Sequence, residues 1–493
     1  VVRDHIAKPA AGPQLLDPED NVMNDYGLII DNHKVGTADS FDILNPANGE
    51  LVGKAPIATR AELDRAVAAA ERAYAGWSRE SEERRKQACL DIAGVLQDNM
   101  SELSRLLTME QGKPLKGMGS EFELGGCMAW ASAQAGFELP VRVIQDDNSS
   151  RVEVHRKPLG VIGSITPWNW PLLIAIWHIV PAIRTGNTVV LKPSPFTPLG
   201  TLRMVELISQ VLPPGVLNAV SGRDEVGQWM TEHPGIRKIV FTGSCGTGKK
   251  VMAGAASNLK RLTLELGGND AAIMLPDADV EGFAPRIFGA AFINCGQTCA
   301  AIKRLYVHDS IYDRTCAALQ ALAAATPVGN GLDEGTMMGP LQNRMQFEKV
   351  VALVDDARAH GARILCGGEP MPGPGYFYPL TLVADITDGT RLVDEEQFGP
   401  VLPVIRYTDL DEVVRRANAT EFGLSGSVWS RDLEKARAVA QRLECGTAWV
   451  NRHAAIAPDV PMGGVKASGI GVEFGEEGLA EYTDIQVVSI DKT

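Results

Sequence analysis

The sequence offers no Cys-x-x-Cys pair and no His-Glu-x-x-His, so nothing in its spacing marks a zinc site. It has no excess of basic residues: 47 Lys and Arg stand against 61 Asp and Glu, a net charge of −14. A surface built to neutralise phosphates would carry the opposite sign, so nucleic acid is not the main partner. No apolar run approaches the roughly 18 residues that span a bilayer; the longest, "WPLLIAIW" at 170–177, stops at His178. The N-terminus carries Arg3, Asp4, His5 and Lys8 and no long apolar core, which speaks against a signal peptide, although the first residue is not Met. The eight cysteines, at 89, 127, 245, 295, 299, 316, 366 and 445, follow no disulfide framework. Free thiols in a chain of this size fit a reducing compartment, so a cytoplasmic, water-soluble protein is expected.

At 493 residues, 45% of them hydrophobic and 22% charged, the chain can bury a sizeable core in two or three domains. The first 26 residues, rich in Pro and Asp, read as an irregular arm. "TRAELDRAVAAAERAYAGW" reads as a helix capped by Thr59, with Glu62 completing a capping box. Its apolar face comprises Leu63, Ala66, Val67, Ala70, Ala73 and Tyr74. From residue 158, short apolar runs alternate with helical ones: "GVIGSITP", "NTVVLKPS", "GVLNAVSG" and "KIVFTGS". One of the helices between them is expected to take Thr197 as its cap and Pro198 in its first turn. The alternation resumes after residue 268 with "AAIML", "KRLYVH", "VLPVIRY", "GSVWS" and "TAWVN". Such a pattern predicts an α/β fold, two doubly wound parallel-sheet domains. "RVEVHRKP" (151–158) and "YTDIQVVSI" (482–490) instead alternate apolar and polar residues, and are expected to pair into a small antiparallel sheet. A neighbouring subunit is one way to cover the edges of such a sheet.

Four stretches can carry chemistry, and each has a plainer reading. "FTGSCGTGKKV" (241–251) is either a tight turn or a glycine-lined helix start that admits a phosphate; its spacing is not that of the usual dinucleotide fingerprint. "TPWNWPLL" is either an aromatic plug or a rigid mount for Asn169, whose amide could donate to an oxyanion. Glu265 of "LELGGND" is a solvated carboxylate or a general base. In "NCGQTCAAIK", Cys295 reads as a small buried residue. Cys299 is open to more: packing, a nucleophile, or one half of a Cys/His protease pair, although none of the eight histidines has a context that suits the last.

Taken in order, "PWNWP", "LKPS", "FTGS", "LELGG", "GQTC", "EEQFGP" and "PMGGVKASGIG" resemble the aldehyde dehydrogenase superfamily from about residue 27 to the tail. The resemblance implies Cys299 as nucleophile, Asn169 with the Cys299 N–H as oxyanion donors, and Glu265 as the base that activates water. It implies NAD or NADP as cofactor, with Trp168, Lys192, Pro195, Gly222, Gly243, Ser244, Glu396 and Phe398 around it. Substrate walls would include Trp170, Ile174, Trp177, Thr298, Ile456 and Met462; Ile456 and Met462 stand where relatives for small aldehydes carry aromatics, which suggests a medium or aromatic aldehyde. Arg452 and His453 would either meet a polar substrate tail or lie in a solvated loop, and Glu473 matches a proton-relay position. The domain expectation becomes a dinucleotide-binding unit of 27–136 and 158–267, a catalytic unit of 268–465, and oligomerisation strands at 137–157 and 480–493, with a homodimer or homotetramer as the assembly.

Two departures stand out. Pro195 replaces a Glu that binds ribose hydroxyls in many NAD-preferring relatives, and Asn269 replaces a Lys common after "ELGG". The alternatives are a coenzyme A-acylating relative, disfavoured by Glu265, and a catalytically silent relative, disfavoured by intact Cys299, Glu265 and Asn169.

Overall fold

The computed structural model describes residues 26–493; the arm expected over residues 1–26 lies outside the described residues except for Tyr26. Two mixed sheets dominate. The first has eight strands in the order Gly469–Ile470, Arg261–Glu265, Ile236–Thr242, Val161–Ile165, Thr188–Lys192, Leu217–Ala219, Leu28–Ile30 and His33–Val35. Its central five strands are parallel, as the sequence alternation predicts, and the other three pair antiparallel at its margins. The second has seven strands, ordered Arg363–Cys366, Thr381–Ile386, Val401–Tyr407, Ile302–His308, Asp270–Met274, Ser425–Trp429 and Thr447–Val450, parallel except at Arg363–Cys366. The parallel strands are buried on both faces beneath helices, which is why they read as unbroken apolar runs rather than alternating ones.

A third sheet pairs Ser150–Pro158 with Thr483–Asp491 antiparallel, Pro158 meeting Thr483, and adds Arg142–Asp146 on the other side. Its alternating sequence matches its setting: Ile144, Ile485 and Val487 are each about 60% exposed (62%, 61% and 59%). The hairpin of Ser40–Leu44 with Leu51–Pro56 carries no comparable sequence signal.

The Arg60–Trp77 helix starts where its capping box places it, with the Thr59 N–H donating to Glu62 Oε2 at 2.7 Å. Leu63, Ala66, Val67 and Ala70 are buried, while Ala73 and Tyr74 are half-buried, and Trp77 completes the inner face. The Leu199–Ser209 helix corrects the expectation for Thr197, whose hydroxyl has no partner among the described residues. Its first N–H groups, from Leu199 and Gly200, donate instead to the buried Glu110 carboxylate at 2.9 and 2.8 Å. A carboxylate delivered from another helix satisfies orphan donors as well as a local hydroxyl does, and it also suits the positive end of the helix. Burial pushes Glu110 up to about 8, against those two hydrogen bonds.

Candidate active site

Register brings the carboxyl ends of the first sheet to one level. Ile165 is opposite Lys192 and Phe241, and Thr242 is opposite Glu265. The chain leaves these strands into Thr166–Asn169, Ser194–Pro195, Gly243–Ser244 and Leu266–Gly267, all on the wall of a cleft of about 1020 Å³. The second sheet contributes differently. Cys299 precedes its strand Ile302–His308, and Glu396 and Phe398 precede Val401–Tyr407, so this wall is made from amino ends. The rule that ligands gather beyond carboxyl ends therefore describes the first sheet and not the second.

The nucleophile segment is fixed by its backbone. After the Val280–Phe292 helix, Asn294, Cys295 and Gly296 take positive φ of 51°, 57° and 72°. A Cβ on Gly296 would lie 2.1 Å from the Gly399 carbonyl, so only glycine fits. The Asn294 amide donates to the Asn169 carbonyl at 2.9 Å, and Gln297 Nε2 to the Asn294 carbonyl at 3.0 Å. Lys303 Nζ donates to the Thr298 and Cys299 carbonyls at 2.8 and 2.6 Å. Cys295 is buried, as expected of a packing residue, and burial pushes its thiol up to about 12.

Cys299 is partly buried against the apolar core and lines the cleft. Burial of its surroundings, then the nearby Glu265 carboxylate, push the thiol up to about 12, with Lys303 pulling the other way. Among the described residues no histidine is hydrogen-bonded to it; His178 instead faces Ser164 at 2.8 Å, Thr242 at 3.3 Å and Glu473 at 3.3 Å. Asn169 is buried, and its Nδ2 donates to the Gln297 carbonyl at 3.0 Å, tying it to the nucleophile segment. Glu265 is buried and does not itself line the cleft, and one of its oxygens has no partner among the described residues. Burial first, then the charge of Glu473, holds its carboxyl well above the usual range against a hydrogen bond from the Gly464 N–H.

The rest of the cleft suits a dinucleotide. The Cys245–Ala256 helix opens onto it, with Ser244 Oγ accepting from Thr247 N at 3.2 Å and Ser244, Gly246 and Thr247 exposed. A Cβ on Gly243 would strike the Phe241 ring at 2.5 Å. Lys192 is buried, its Nζ bonded among the described residues to the Pro193 carbonyl at 3.2 Å; burial lowers it to about 8, while Asp224 and Glu225 act the other way. Asp224 also lines the cleft, close enough to act on the Lys192 charge, a negative group that sequence reading missed. Glu396 accepts from the Gly268 N–H at 3.1 Å and lies 3.6 Å from Lys303. Trp168 and Phe398 meet edge to face at 5.3 Å. Gly222 does not line the cleft; its φ of 150° and the Val226 methyl 2.6 Å from a would-be Cβ make it a turn glycine.

On the other side of Cys299, Trp170, Ile174, Trp177, Ile456 and Met462 share its apolar cluster, Ile174 fully buried and Trp177 and Ile456 only partly. Thr298 Oγ1 accepts from Trp170 Nε1 at 3.0 Å. Three aromatics that sequence reading passed over join them: Phe122 against Trp170, and Trp130 and Phe474 against Trp177. His453 is neither solvated nor available to a substrate tail. It is buried against Trp449, its Nδ1 2.9 Å from Ser427 Oγ and its Nε2 3.6 Å from Asp270, whereas Arg452 is exposed. Asn269 gains a meaning: its amide donates to the Val393 carbonyl at 2.8 Å, anchoring the segment that leads to Glu396.

The described residues hold no cluster of three or more His, Cys, Asp or Glu able to bind a metal, and no helix long and apolar enough to cross a membrane. The profile of the aldehyde dehydrogenase family matches residues 34–488. Retinaldehyde dehydrogenase 3 of Rattus norvegicus is 38% identical over 93% of this chain and 91% of its own. The crystal structure of betaine aldehyde dehydrogenase from Staphylococcus aureus in complex with NAD+ superposes with a TM-score of 0.91 at 34% identity, covering 95% of each chain. An NADP dependent enzyme of E. coli gives a TM-score of 0.92 at 34% identity, over 94% of this chain and 98% of its own. A thiol and a buried amide on the wall of one large cleft, with a buried carboxyl near enough to act on that thiol, agree with that kinship: the chain is an oxidoreductase belonging to the aldehyde dehydrogenase family.

Proposed function

We propose that the protein oxidises an aldehyde to its carboxylic acid through a thioester on Cys299. The carrying observation is that Cys299, Asn169, Lys192, Ser244 and Glu396 all open onto one cleft. The Cys299 thiolate adds to the carbonyl carbon, and the Asn169 amide with the Cys299 N–H stabilises the resulting oxyanion. A nicotinamide dinucleotide, when bound, would supply the acceptor for the hydride that leaves that carbon as the oxyanion collapses to the thioester. Lys192 would hold its adenine ribose, Ser244 and the helix start its pyrophosphate, and Glu396 its nicotinamide ribose, with Trp168 and Phe398 beside the ring. Glu265 then takes a proton from the water that attacks the thioester carbon, and the C–S bond breaks to release the carboxylic acid and return Cys299 as thiolate. Glu473, close behind Glu265, is placed to pass the proton on. Absorbance at 340 nm with a panel of aldehydes tests the reading; no reduction with any of them would favour the silent relative, and formation of a thioester product with coenzyme A the acylating one.

The aromatic cluster around Trp170 and Trp177 favours a medium-sized apolar or aromatic aldehyde. The names of the two relatives point to chemically unlike aldehydes, so the wall residues guide this choice.

Pro195 places no carboxylate against a 2′-phosphate and Lys192 lies beside it, so both NAD and NADP are expected to support turnover. The Asp224 charge opposes the phosphate and tilts the preference toward NAD. Steady-state kinetics with each cofactor check this; NADP inert at millimolar concentration would refute the inference from Pro195.

The eight-stranded sheet is read as the dinucleotide-binding unit and the seven-stranded sheet as the catalytic one, in a cytoplasmic protein. The exposed Ile144, Ile485 and Val487 on the third sheet fit burial against a second copy, giving a homodimer or homotetramer. Light scattering is expected to report an oligomer, and Ile485→Lys with Val487→Lys to shift it toward monomer; a wild type that stays monomeric would contradict this assignment.

A further inference from the structure

Lys113 and Glu123 form an ion pair with both side chains fully buried, Nζ to Oε2 at 2.5 Å. Removing two charges from water is expensive, and an apolar pair of similar volume generally supports folding as well. What the pair does with its remaining hydrogen-bonding capacity is therefore informative. Lys113 Nζ donates a second bond to the Asn169 carbonyl at 2.8 Å and sits 3.6 Å above the Trp170 ring. Glu123 Oε1 accepts from the Leu172 and Leu173 N–H groups at 2.9 and 3.1 Å, capping the Pro171–Arg184 helix that Asn169 leads into. Both partners thus act on the same few residues, 169–173.

The other side of that segment is tied to the nucleophile. Asn169 Nδ2 bonds the Gln297 carbonyl, Trp170 Nε1 bonds Thr298, and the Asn169 carbonyl also accepts from Asn294. The carbonyl is held by two donors, one from the nucleophile segment and one from Lys113. We propose that Lys113 and Glu123 are the positioning pair for the Asn169 amide, fixing the oxyanion donor relative to Cys299. This rests on the reading of Asn169 given above. Neither residue touches substrate; each acts through the backbone of Asn169 and the start of its helix. A donor shifted by about 1 Å can lose on the order of 10²-fold in rate.

The test is the neutral pair Lys113→Met with Glu123→Gln, which leaves no buried charge unpaired and keeps an acceptor for the two helix N–H groups. Three rates are compared with wild type: aldehyde oxidation at 340 nm, acylation of Cys299 by p-nitrophenyl acetate without dinucleotide, and alkylation of Cys299 by iodoacetamide. The first two build an oxyanion beside Asn169 and the third does not. Both oxyanion-forming rates are expected to fall roughly 10- to 10²-fold in kcat with KM little changed. Alkylation and the melting temperature should hold. Added to Asn169→Ala, the neutral pair should cause no further loss, because both act on one interaction. Equal loss in alkylation, or unchanged acylation, overturns the proposal. Asn169→Ala alone separates the two readings: if it leaves acylation untouched, the role of Asn169 itself fails; if it slows acylation and the neutral pair does not, only the positioning pair fails. Should the double variant not fold, Lys113→Met alone, which removes the donor to the Asn169 carbonyl and leaves Glu123 accepting from the two helix N–H groups, carries the same comparison.

Discussion

Replacing Cys299 with alanine is expected to lower turnover on the order of 10⁶-fold, as removing a covalent nucleophile does elsewhere, while leaving dinucleotide binding intact. Among the described residues the Cys299 sulfur is the one thiol on the cleft wall, and Lys303 holds its backbone from behind through the Thr298 and Cys299 carbonyls. Fluorescence titration with NAD alongside the 340 nm assay measures both halves; substantial activity in the alanine variant would remove the covalent mechanism. The thiol's own protonation gives a companion result. Without dinucleotide its pKa is pushed up to about 12, so the reactive thiolate is scarce at neutral pH. Alkylation by iodoacetamide should then rise steadily from pH 7 to pH 10, and a plateau near pH 8 would contradict the burial assigned to it.

Replacing Glu265 with glutamine is expected to cost roughly 10²- to 10⁴-fold in steady-state turnover, the usual span for a general base. The first step does not need this carboxylate. The variant should therefore still release about one equivalent of reduced cofactor in a burst and then stall with a thioester on Cys299, visible by intact mass. Burial and Glu473 raise the carboxyl's pKa, so its base form is the minority at low pH and grows as pH rises. Turnover of the wild type should climb with pH through that raised value, and the climb should vanish in the glutamine variant. A variant that loses its burst as completely as its turnover would assign Glu265 to the first step instead.

Much of this site is local in sequence, and that is why it is legible there. A strand end followed by glycine, a rigid Pro-Trp-Asn-Trp-Pro turn, and a cysteine after Gly-Gln-Thr each encode a short-range geometry. The parallel strands announce themselves because burial on both faces leaves only apolar residues. What sequence hides is the pairing of distant polar groups. Lys113 and Glu123 look like ordinary helix and loop residues until folding closes them beneath Asn169. Glu110 replaces the cap expected of Thr197 for the same reason, since a helix start accepts a carboxylate from any part of the chain. His453 shows the reverse error: a charged-looking loop residue turns inward because Ser427 and Asp270 wait for it. Gly222 shares its chain segment with true cleft residues, yet its backbone angle accounts for it.

The joining of Ser150–Pro158 to Thr483–Asp491 has a kinetic consequence. Two ribbons separated by most of the polypeptide cannot meet until what lies between them has compacted, so the entropy of closing that loop is repaid only late. The surface that would receive a second copy should thus mature last during refolding, and assembly should lag behind the recovery of native fluorescence in a concentration-dependent phase.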